Sequence, residues 1–577
     1  MASRFRKRSV FAGLALLIAA AGWIYVQRVP RIDLATRVPA SAIGFLEFND
    51  WPNLADQFTS MPAWRELSPA YGIWDRWRYL GNAGWLLRIT GIGPREALVI
   101  SRAQIAVIVT SLEVRGEDVR PRLAMVLESH SRDSQLASVI DERLPQLAAR
   151  AFGNPQCERS EYAGVPVTIY HTEDGNRRML SAQVGSQWVV ANHPEAMEAC
   201  LDARLGRVPS MAGNFYLQNA RPVVANHGQV FGFVSGEGAT RLTRFAAALI
   251  GVRLFGSSPL AEGLQSVLGD LSSVVSNGLA YGMTIENGQT IERYAWLCHP
   301  QMIEQLRHAI TVKEGALDLP RLVPFGPAGV DKVTIVRVTE PERAFAALEA
   351  VISSRLGAAQ SYIFNRFIIG AKEALFGLRE NETFGAALGD ELGSISLGSA
   401  NEGSLWALAV RDRDRLEKLT GQFLTQGGAT IRRERVRSDE LMVSSDDRRG
   451  AAAFLEKFLV LGSRPAVIRL IEARAGAQTM AESPVFAAAG EVPRGTPIVS
   501  FWSVRGETAE MMEQLAQYLP YGTPRGGAEK ILDGLPMGSS TLAIEDQSLV
   551  GESHSPFGSL PVLLSLFREK EPGREGN

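Results

Sequence analysis

Short apolar runs and amphipathic helical patterns alternate along this chain, and two distant stretches show them in the same order. Residues 188–204 read WVVANHPEAMEACLDAR, and residues 458–474 read FLVLGSRPAVIRLIEAR. In each stretch a strand-like apolar run meets a polar turn with a proline, and apolar positions then recur at helical spacing. Each stretch therefore predicts a strand followed by a helix, and their likeness indicates an internal duplication.

Other pairs of similar patterns follow the same order in the two halves. The paired positions give these offsets: 333 minus 43 is 290, 390 minus 103 is 287, 405 minus 123 is 282, 458 minus 188 is 270, and 544 minus 285 is 259. The offsets fall steadily, as expected for two collinear copies with small deletions in the second. Because the period is far longer than that of solenoid repeats, the pattern predicts a duplicated domain.

Both copies contain a helix with an apolar stripe, which follows the predicted strand at residues 123–127 in the first copy and at 405–410 in the second. The stripes are Leu136, Ile140, Leu144 and Leu147 in the first copy and Leu416, Leu419 and Phe423 in the second. This spacing predicts that one face of each helix is buried.

Adjacent strands joined by short polar turns decide the fold class. Asn287-Gly288 lies between alternating residues and predicts a tight hairpin, because a type I′ turn needs positive φ at both central positions. Such connections require antiparallel pairing. We therefore predict an α+β protein with largely antiparallel sheets, its first copy over residues 31–310 and its second over residues 328–567, followed by a disordered tail at 568–577.

An uncharged segment near the N-terminus predicts a membrane anchor. Residues 10–26 read VFAGLALLIAAAGWIYV, long enough to cross a bilayer core. The basic residues ahead of it are Arg4, Arg6, Lys7 and Arg8. By the positive-inside rule, residues 1–9 form a cytoplasmic stub, residues 10–26 a transmembrane signal anchor of the bacterial inner membrane, and the remainder is periplasmic or extracellular. The alternative is a signal peptide cleaved near Ala19-Ala20-Ala21.

Charge and cysteine content exclude several classes of protein. The 577 residues include 60 Lys and Arg against 62 Asp and Glu, so no overall positive field favours nucleic acid. Cys157, Cys200 and Cys298 are an odd set without a CxxC spacing, which argues against a zinc site or a disulfide framework. We expect small buried thiols, and one disulfide among them stays open.

The chain contains no strong catalytic or cofactor motif. GxxxxGK[ST], GxSxG and HExxH are all absent, so we predict no catalytic residue, no cofactor and no metal site. His193 is expected to cap a helix or to be exposed, and His130 could form a histidine–carboxylate pair with Asp133. The pair Asp390-Glu391 predicts a solvated turn.

Clustered aromatic residues are the most suggestive surface candidates. Trp64, Trp74, Trp77 and Arg78 lie in a short span rich in tryptophan and tyrosine. They are either core residues or an amphipathic platform for a partner or a membrane surface, where Trp and Arg are favoured. Residues 560–567 read LPVLLSLF, which predicts a packed terminal helix or a second membrane contact.

The N-terminal anchor, the two-copy ectodomain, the turn at residues 388–391 and the closing segment Ser555-Pro556-Phe557-Gly558 resemble an uncharacterised family of bacterial exported proteins. That family is defined only as a domain of unknown function. The resemblance covers nearly the whole chain, and the first copy departs from it at Arg102-Ala103-Gln104, where the acidic turn is lost. It implies an exported, duplicated ectodomain and supplies no catalytic residues.

These observations favour a non-enzymatic, membrane-anchored, extracytoplasmic binding or scaffold protein of the bacterial envelope. Its partner would be an envelope protein or a lipid, held in a groove or on a platform formed by the two copies. One alternative is a carrier of lipid or other hydrophobic cargo. Another is a hydrolase in which His130, His193 or His299 meets a carboxylate and a nucleophile from distant parts of the chain.

Overall fold

Helices and antiparallel strands make up the protein in a computed structural model, which confirms the α+β class. The structure describes residues 31–73, 99, 102–115, 118–224, 229–243, 276–309, 320–355, 384–398, 404–475, 478–489, 496–518, 524–546 and 548–565. The strands are β1 Gly44–Phe48, β2 Gln104–Arg115, β3 Asp118–Glu128, β4 Gln156–Tyr162, β5 Val165–His171, β6 Arg178–Val184, β7 Gln187–Ala191, β8 Val230–Ser235, β9 Ser276–Glu286, β10 Gln289–Cys298, β11 Lys332–Arg337, β12 Leu388–Ser396, β13 Ser404–Val410, β14 Ile431–Val436, β15 Asp439–Ser444, β16 Ala451–Leu455, β17 Phe458–Gly462, β18 Ile498–Trp502, β19 Gly538–Glu545 and β20 Ser548–Ser555.

The described α-helices follow the strands in both halves of the chain. They are α1 Trp51–Ser60, α2 Pro62–Ala70, α3 Asp133–Phe152, α4 Pro194–Arg204, α5 Phe215–Val224, α6 Pro300–Ala309, α7 Leu322–Phe325, α8 Pro341–Arg355, α9 Arg413–Thr425, α10 Arg464–Arg474, α11 Pro484–Ala487, α12 Arg505–Tyr518, α13 Ala528–Asp533 and α14 Leu560–Ser565. Short 3₁₀ helices lie at Leu34–Arg37, Met211–Gly213, Gly385–Ala387, Gln426–Gly428 and Met480–Glu482.

The chain divides into two compact units that interleave along the sequence. The first is drawn from Met1–Asp56, Arg76–Asn219 and Gln229–Phe233, and the second is drawn from Gln57–Asp75, Ala220–Gly228 and Val234–Asn577. The hairpin of β9 and β10 therefore belongs to the second unit, although the sequence places it in the first half of the chain.

In the first unit the strand order is β8-β1-β2-β3-β7-β6-β5-β4, and the pairs from β1 to β4 along this order are antiparallel. Helix α3 buries Leu136, Ile140 and Leu144 against one face, as its stripe predicts. Leu147 was expected in the same stripe, but it is exposed. The buried face continues instead through Ala148, four residues after Leu144, so Leu147 lies to one side of it.

In the second unit the order is β9-β10-β20-β19-β18-β11-β12-β13-β17-β16-β15-β14, with every pair antiparallel. One apolar cluster of its described residues surrounds Ile335, Val460 and Phe501, which are almost fully buried. Removing these side chains from water is the main driving force for packing the helices on this sheet.

The two stretches with matching patterns fold as predicted. Residues 188–204 form β7 and α4, and residues 458–474 form β17 and α10. His193 accepts a hydrogen bond from the backbone of α4, and Ser463 does the same for α10, so each polar turn caps its helix. Asn287 and Gly288 have φ of 52° and 77°, as a type I′ hairpin requires.

The expectation of a membrane protein is corrected by the structure. Among the described residues, which begin at residue 31, no helix is long and apolar enough to cross a bilayer. The membrane and transmembrane predictions are therefore wrong for this part of the chain. The predicted anchor at residues 10–26 and the predicted tail at 568–577 lie outside the described residues.

Candidate functional site

The best-defined cluster of polar side chains lies where β10 meets β20, a pairing that we call the seam. Eight residue pairs, from Thr290↔Ser555 to Leu297↔Ser548, join the β9–β10 hairpin to the β19–β20 hairpin. Because side chains alternate between the two faces of a strand, the seam carries one polar cluster on each face of the sheet.

On one face, the carboxylate of Glu292 is buried and accepts four hydrogen bonds. Its Oε1 accepts from Tyr281 Oη at 2.7 Å, from the Ser559 backbone N–H at 3.0 Å and from Ser559 Oγ at 2.6 Å. Its Oε2 accepts from Tyr294 Oη at 3.1 Å. Burying a carboxylate is costly unless hydrogen bonds replace its water. These four donors replace it, so Glu292 holds β9, β10 and the chain after β20 together.

The two tyrosines on this face act as hydrogen-bond donors. Their ring centroids lie 5.3 Å apart. Burial raises the pKa of Tyr281 and of Tyr294, and the nearby charge of Glu292 raises both further. Both hydroxyls therefore stay protonated at neutral pH and donate to the same carboxylate.

The chain after β20 approaches this face closely because of Gly558. Its φ is +57°, in the left-handed region that glycine adopts without strain. A Cβ at this position would lie 2.7 Å from Thr290 Cγ2 and 3.0 Å from Glu292 Oε1. The glycine of the closing segment therefore lets Ser559 reach Glu292.

On the opposite face, an ion pair crosses the seam directly. Arg293 Nε donates to Glu552 Oε2 at 2.5 Å, and these two residues are also partners in the strand register. His554 Nε2 lies 2.8 Å from Glu552 Oε1. The hydrogen bond from His554, aided by the charge of Arg293, lowers the pKa of Glu552 to about 2 despite partial burial.

The seam contains acid and base groups, but its hydrogen bonds serve to join strands. His554 and Glu552 resemble part of a catalytic triad, and Ser539 lies opposite His554 in the β19–β20 register. The Ser539 hydroxyl, however, donates to the backbone carbonyl of Ala489 at 3.3 Å. A nucleophile needs its base within hydrogen-bonding reach, and the described contacts of Ser539 do not include one. The described hydrogen bonds of the seam therefore join strands.

The aromatic span proposed as a partner surface is only partly described. Trp64 is buried in a cluster of the second unit with Met61, Leu67 and Met512, and its ring centroid lies 5.1 Å from that of Phe58. Trp74, Trp77 and Arg78 lie outside the described residues. Residues 560–565 form the predicted terminal helix, which packs on the same cluster.

The histidines of the hydrolase alternative have other partners. His130 Nε2 lies 2.9 Å from Gln104 Oε1, and burial lowers the pKa of His130. His193 accepts from the Glu195 backbone N–H at 3.3 Å, which confirms its predicted role as a cap. Within the described residues, no group of three or more His, Cys, Asp or Glu residues could hold a metal ion.

The three cysteines are free thiols. Cys200 and Cys298 are buried as predicted, and burial raises the pKa of each thiol to about 12. Cys157 is exposed on β4, so the prediction of a buried thiol is wrong there. The disulfide that the sequence left open does not form.

The acidic pair at residues 390–391 was predicted to be solvated, and the prediction is confirmed for exposed Asp390 but wrong for Glu391. Glu391 is buried on β12, where its carboxylate accepts from the backbone N–H of Leu322 at 2.6 Å and of Arg321 at 3.0 Å. It therefore fixes the start of α7 instead of facing solvent. In the first unit the position that the offset of 287 aligns with Glu391 is Gln104, at the start of β2. Its side chain accepts from the Ile32 backbone N–H at 2.8 Å.

Sequence reasoning missed the residues of the seam. The alternation along β10 predicts that Glu292 and Tyr294 share a face, but Ser559, a hydrogen-bond partner of Glu292, lies more than 260 residues away. No local pattern indicates such a pairing.

Comparison with protein-family models, with curated proteins and with solved structures finds no match to this chain.

Proposed function

We propose that this chain is a non-enzymatic binding or scaffold protein that works outside the cytoplasm and is built from two tandem copies of one α+β module. The observation that carries the proposal is the seam, where buried and ionised side chains are engaged in joining strands from the two halves of the chain. Such groups stabilise a rigid platform and are not poised for proton transfer.

Strand order supports the duplication. In the first half, strands β1 to β8 are ordered β8-β1-β2-β3-β7-β6-β5-β4. In the second half, strands β11 to β18 are ordered β18-β11-β12-β13-β17-β16-β15-β14. Within each set of eight, every strand thus has the same neighbours as its counterpart ten strands later. Two unrelated domains would not be expected to share an eight-strand order.

The register between strands supports the same conclusion. Leu127 pairs with Trp188 in the first half, and Ala409 pairs with Phe458 in the second. These pairs are separated by the offsets that the sequence predicts, since 409 minus 127 is 282 and 458 minus 188 is 270. The matching patterns therefore lie at matching places in the two sheets.

The last hairpin of each half gives a match without a gap. Glu286 pairs with Gln289 around the first turn, and Glu545 pairs with Ser548 around the second, a shift of 259 in both strands. Arg293 and Glu552 occupy equivalent positions under the same shift, since 552 minus 293 is 259. These two residues also face each other across the seam. The register of the seam is thus symmetric about the Arg293–Glu552 pair, as expected if two equivalent hairpins meet through the same edge strand.

Exposed aromatic side chains supply surfaces for partners. Phe215 in the first unit is 66% exposed, and Trp406 on β13 of the second unit is 57% exposed. Aromatic residues are enriched in protein–protein interfaces because they bury a large area at a low cost in conformational entropy. Among the described residues, no specific contact favours a lipid carrier or a hydrolase over this function.

Site-specific photocrosslinking tests the proposal. A photoreactive phenylalanine analogue replaces Phe215 or Trp406 in separate full-length chains, and the exposed turn residue Arg448 serves as the control position. We expect a discrete polypeptide adduct from an aromatic position in intact cells, above the level at Arg448. Adducts with lipid would favour the carrier, and adducts no more frequent than the control would contradict the binding function.

A further inference from the structure

A row of polar side chains crosses the sheet of the first unit at one end of its strands. Gln104 pairs with Glu128 between β2 and β3, and Glu128 pairs with Gln187 between β3 and β7. Asn49, just after β1, accepts from Gln104 Nε2 at 2.6 Å. Gln104, Glu128 and Gln187 are all at least 95% buried. Buried polar groups in native proteins are nearly always hydrogen-bonded.

Most of the row satisfies that rule through its own contacts. Gln104 Nε2 also donates to the Ile32 carbonyl at 3.0 Å, and its Oε1 lies 2.9 Å from His130 Nε2. Glu128 Oε1 accepts from the His130 backbone N–H at 3.1 Å. These bonds tie the segment before the Leu34–Arg37 turn to the end of the sheet.

Gln187 departs from the rule. Its side chain is 1% exposed, and neither its amide nitrogen nor its amide oxygen has a hydrogen-bond partner among the residues that the structure describes. Leaving both atoms unsatisfied would raise the unfolding equilibrium constant by roughly tenfold or more. Leucine at this buried position would then give a more stable protein than glutamine.

The groups around Gln187 have complementary hydrogen-bonding needs. Glu128, its neighbour across the strands, offers carboxylate oxygens. The Nε of Arg37 is also buried without a partner within the described residues. Burial lowers the pKa of Arg37, as does Arg204, while the charge of Glu128 opposes both, which indicates that Arg37 and Glu128 lie near each other. The amide donor and acceptor of Gln187 therefore lie on the strand position opposite a carboxylate, whose charge also acts on the Arg37 guanidinium.

We propose that Gln187 and Glu128, with Arg37 beside them, form an internal hydration site that holds at least one ordered water molecule. Water is the ligand whose chemistry fits, because it donates and accepts at once. Buried water typically makes about three hydrogen bonds to protein groups that would otherwise be unsatisfied. The site extends the polar row from Gln104 to the far strand β7.

Replacing Gln187 by leucine tests this inference. If a bridging water is present, Gln187→Leu removes two of its partners, and the equilibrium constant for opening of β7, measured by amide hydrogen exchange, rises about tenfold. If the amide is unsatisfied, the same change removes a buried polar group without breaking a hydrogen bond. The equilibrium constant for opening of β7 then falls. The matched control is Gln183→Leu on β6, whose exposed amide donates to the Asp133 and Gly185 carbonyls at 2.9 Å. It should change opening of β7 much less.

A second measurement on the unaltered protein does not depend on folding. A crystal structure at a resolution that shows ordered solvent should have density within hydrogen-bonding distance of both amide atoms of Gln187. Empty space there, or a stabilising effect of Gln187→Leu, would overturn the hydration site.

Discussion

Neutralising Glu552 should weaken the seam by an amount that depends on pH. The change is Glu552→Gln, which keeps the shape of the side chain and removes its charge. The pKa of Glu552 falls from its ordinary value of 4.5 to about 2 in the folded protein, first because His554 donates to it and then because of Arg293. At about 1.36 kcal/mol per pKa unit, the upper bound on the stabilisation is about 3 kcal/mol.

Solvent screening reduces this bound. The Arg293 side chain is 41% exposed, and ion pairs with that exposure lose much of their strength to water. We therefore expect Glu552→Gln to lower the opening free energy of β10 and β20 by about 1.5 kcal/mol at neutral pH. A depressed pKa contributes stability that is present above the ordinary value and is lost as the pH falls through the folded value. The difference between the two proteins should thus close between pH 4.5 and pH 2.

Amide hydrogen exchange of β10 and β20, corrected for the intrinsic rate at each pH, measures this opening directly. The matched control is Glu440→Gln on β15, which removes an exposed partner of Arg433 and should leave exchange at the seam unchanged. A difference between wild type and Glu552→Gln that stays constant from pH 7 to pH 2.5 would refute the reasoning, because the carboxylate would then not be the source of the stability.

Three further changes test the closing segment and the thiols. Glu292→Leu leaves two tyrosine hydroxyls and Ser559 without their acceptor, so it should cost about 3 kcal/mol, seen as faster proteolysis near residue 556; unchanged cleavage would contradict the role of Glu292. Gly558→Ala should destabilise the same segment by about 2 kcal/mol in thermal unfolding, since a Cβ meets Thr290 at positive φ, and an unaltered melting temperature would argue against that approach. A maleimide should label exposed Cys157 in the native protein while Cys200 reacts only after unfolding; equal rates would contradict the burial.

Local patterns predicted much of the fold because their causes are local. The helix after His193 and the helix after Ser463 are both capped by the polar turn that the sequence shows. The turn at Asn287-Gly288 follows from the backbone freedom of its residues. The apolar stripe of α3 predicted which face is buried, and it failed only at Leu147, where the buried face continues through Ala148 instead.

The polar residues at the seam could not be predicted in the same way. Whether a glutamate is solvated or buried depends on which distant groups reach it, and Ser559 reaches Glu292 only because two hairpins pair across most of the chain. Glu391 was assigned to a solvated turn for the same reason, since its partners Arg321 and Leu322 lie about 70 residues away in sequence. Periodicity indicates which face a residue occupies, but it does not identify what covers that face.

The claim that two equivalent hairpins meet at the seam is tested most directly by exchanging its charges. Arg293→Glu and Glu552→Arg each place like charges opposite one another, and we expect both to speed hydrogen exchange of β10 and β20. In the double variant, opposite charges face each other again with their positions reversed, so protection should return to near the wild-type level. If the double variant is instead destabilised by the sum of the two single effects, the residues do not face each other, and the account of the seam is wrong.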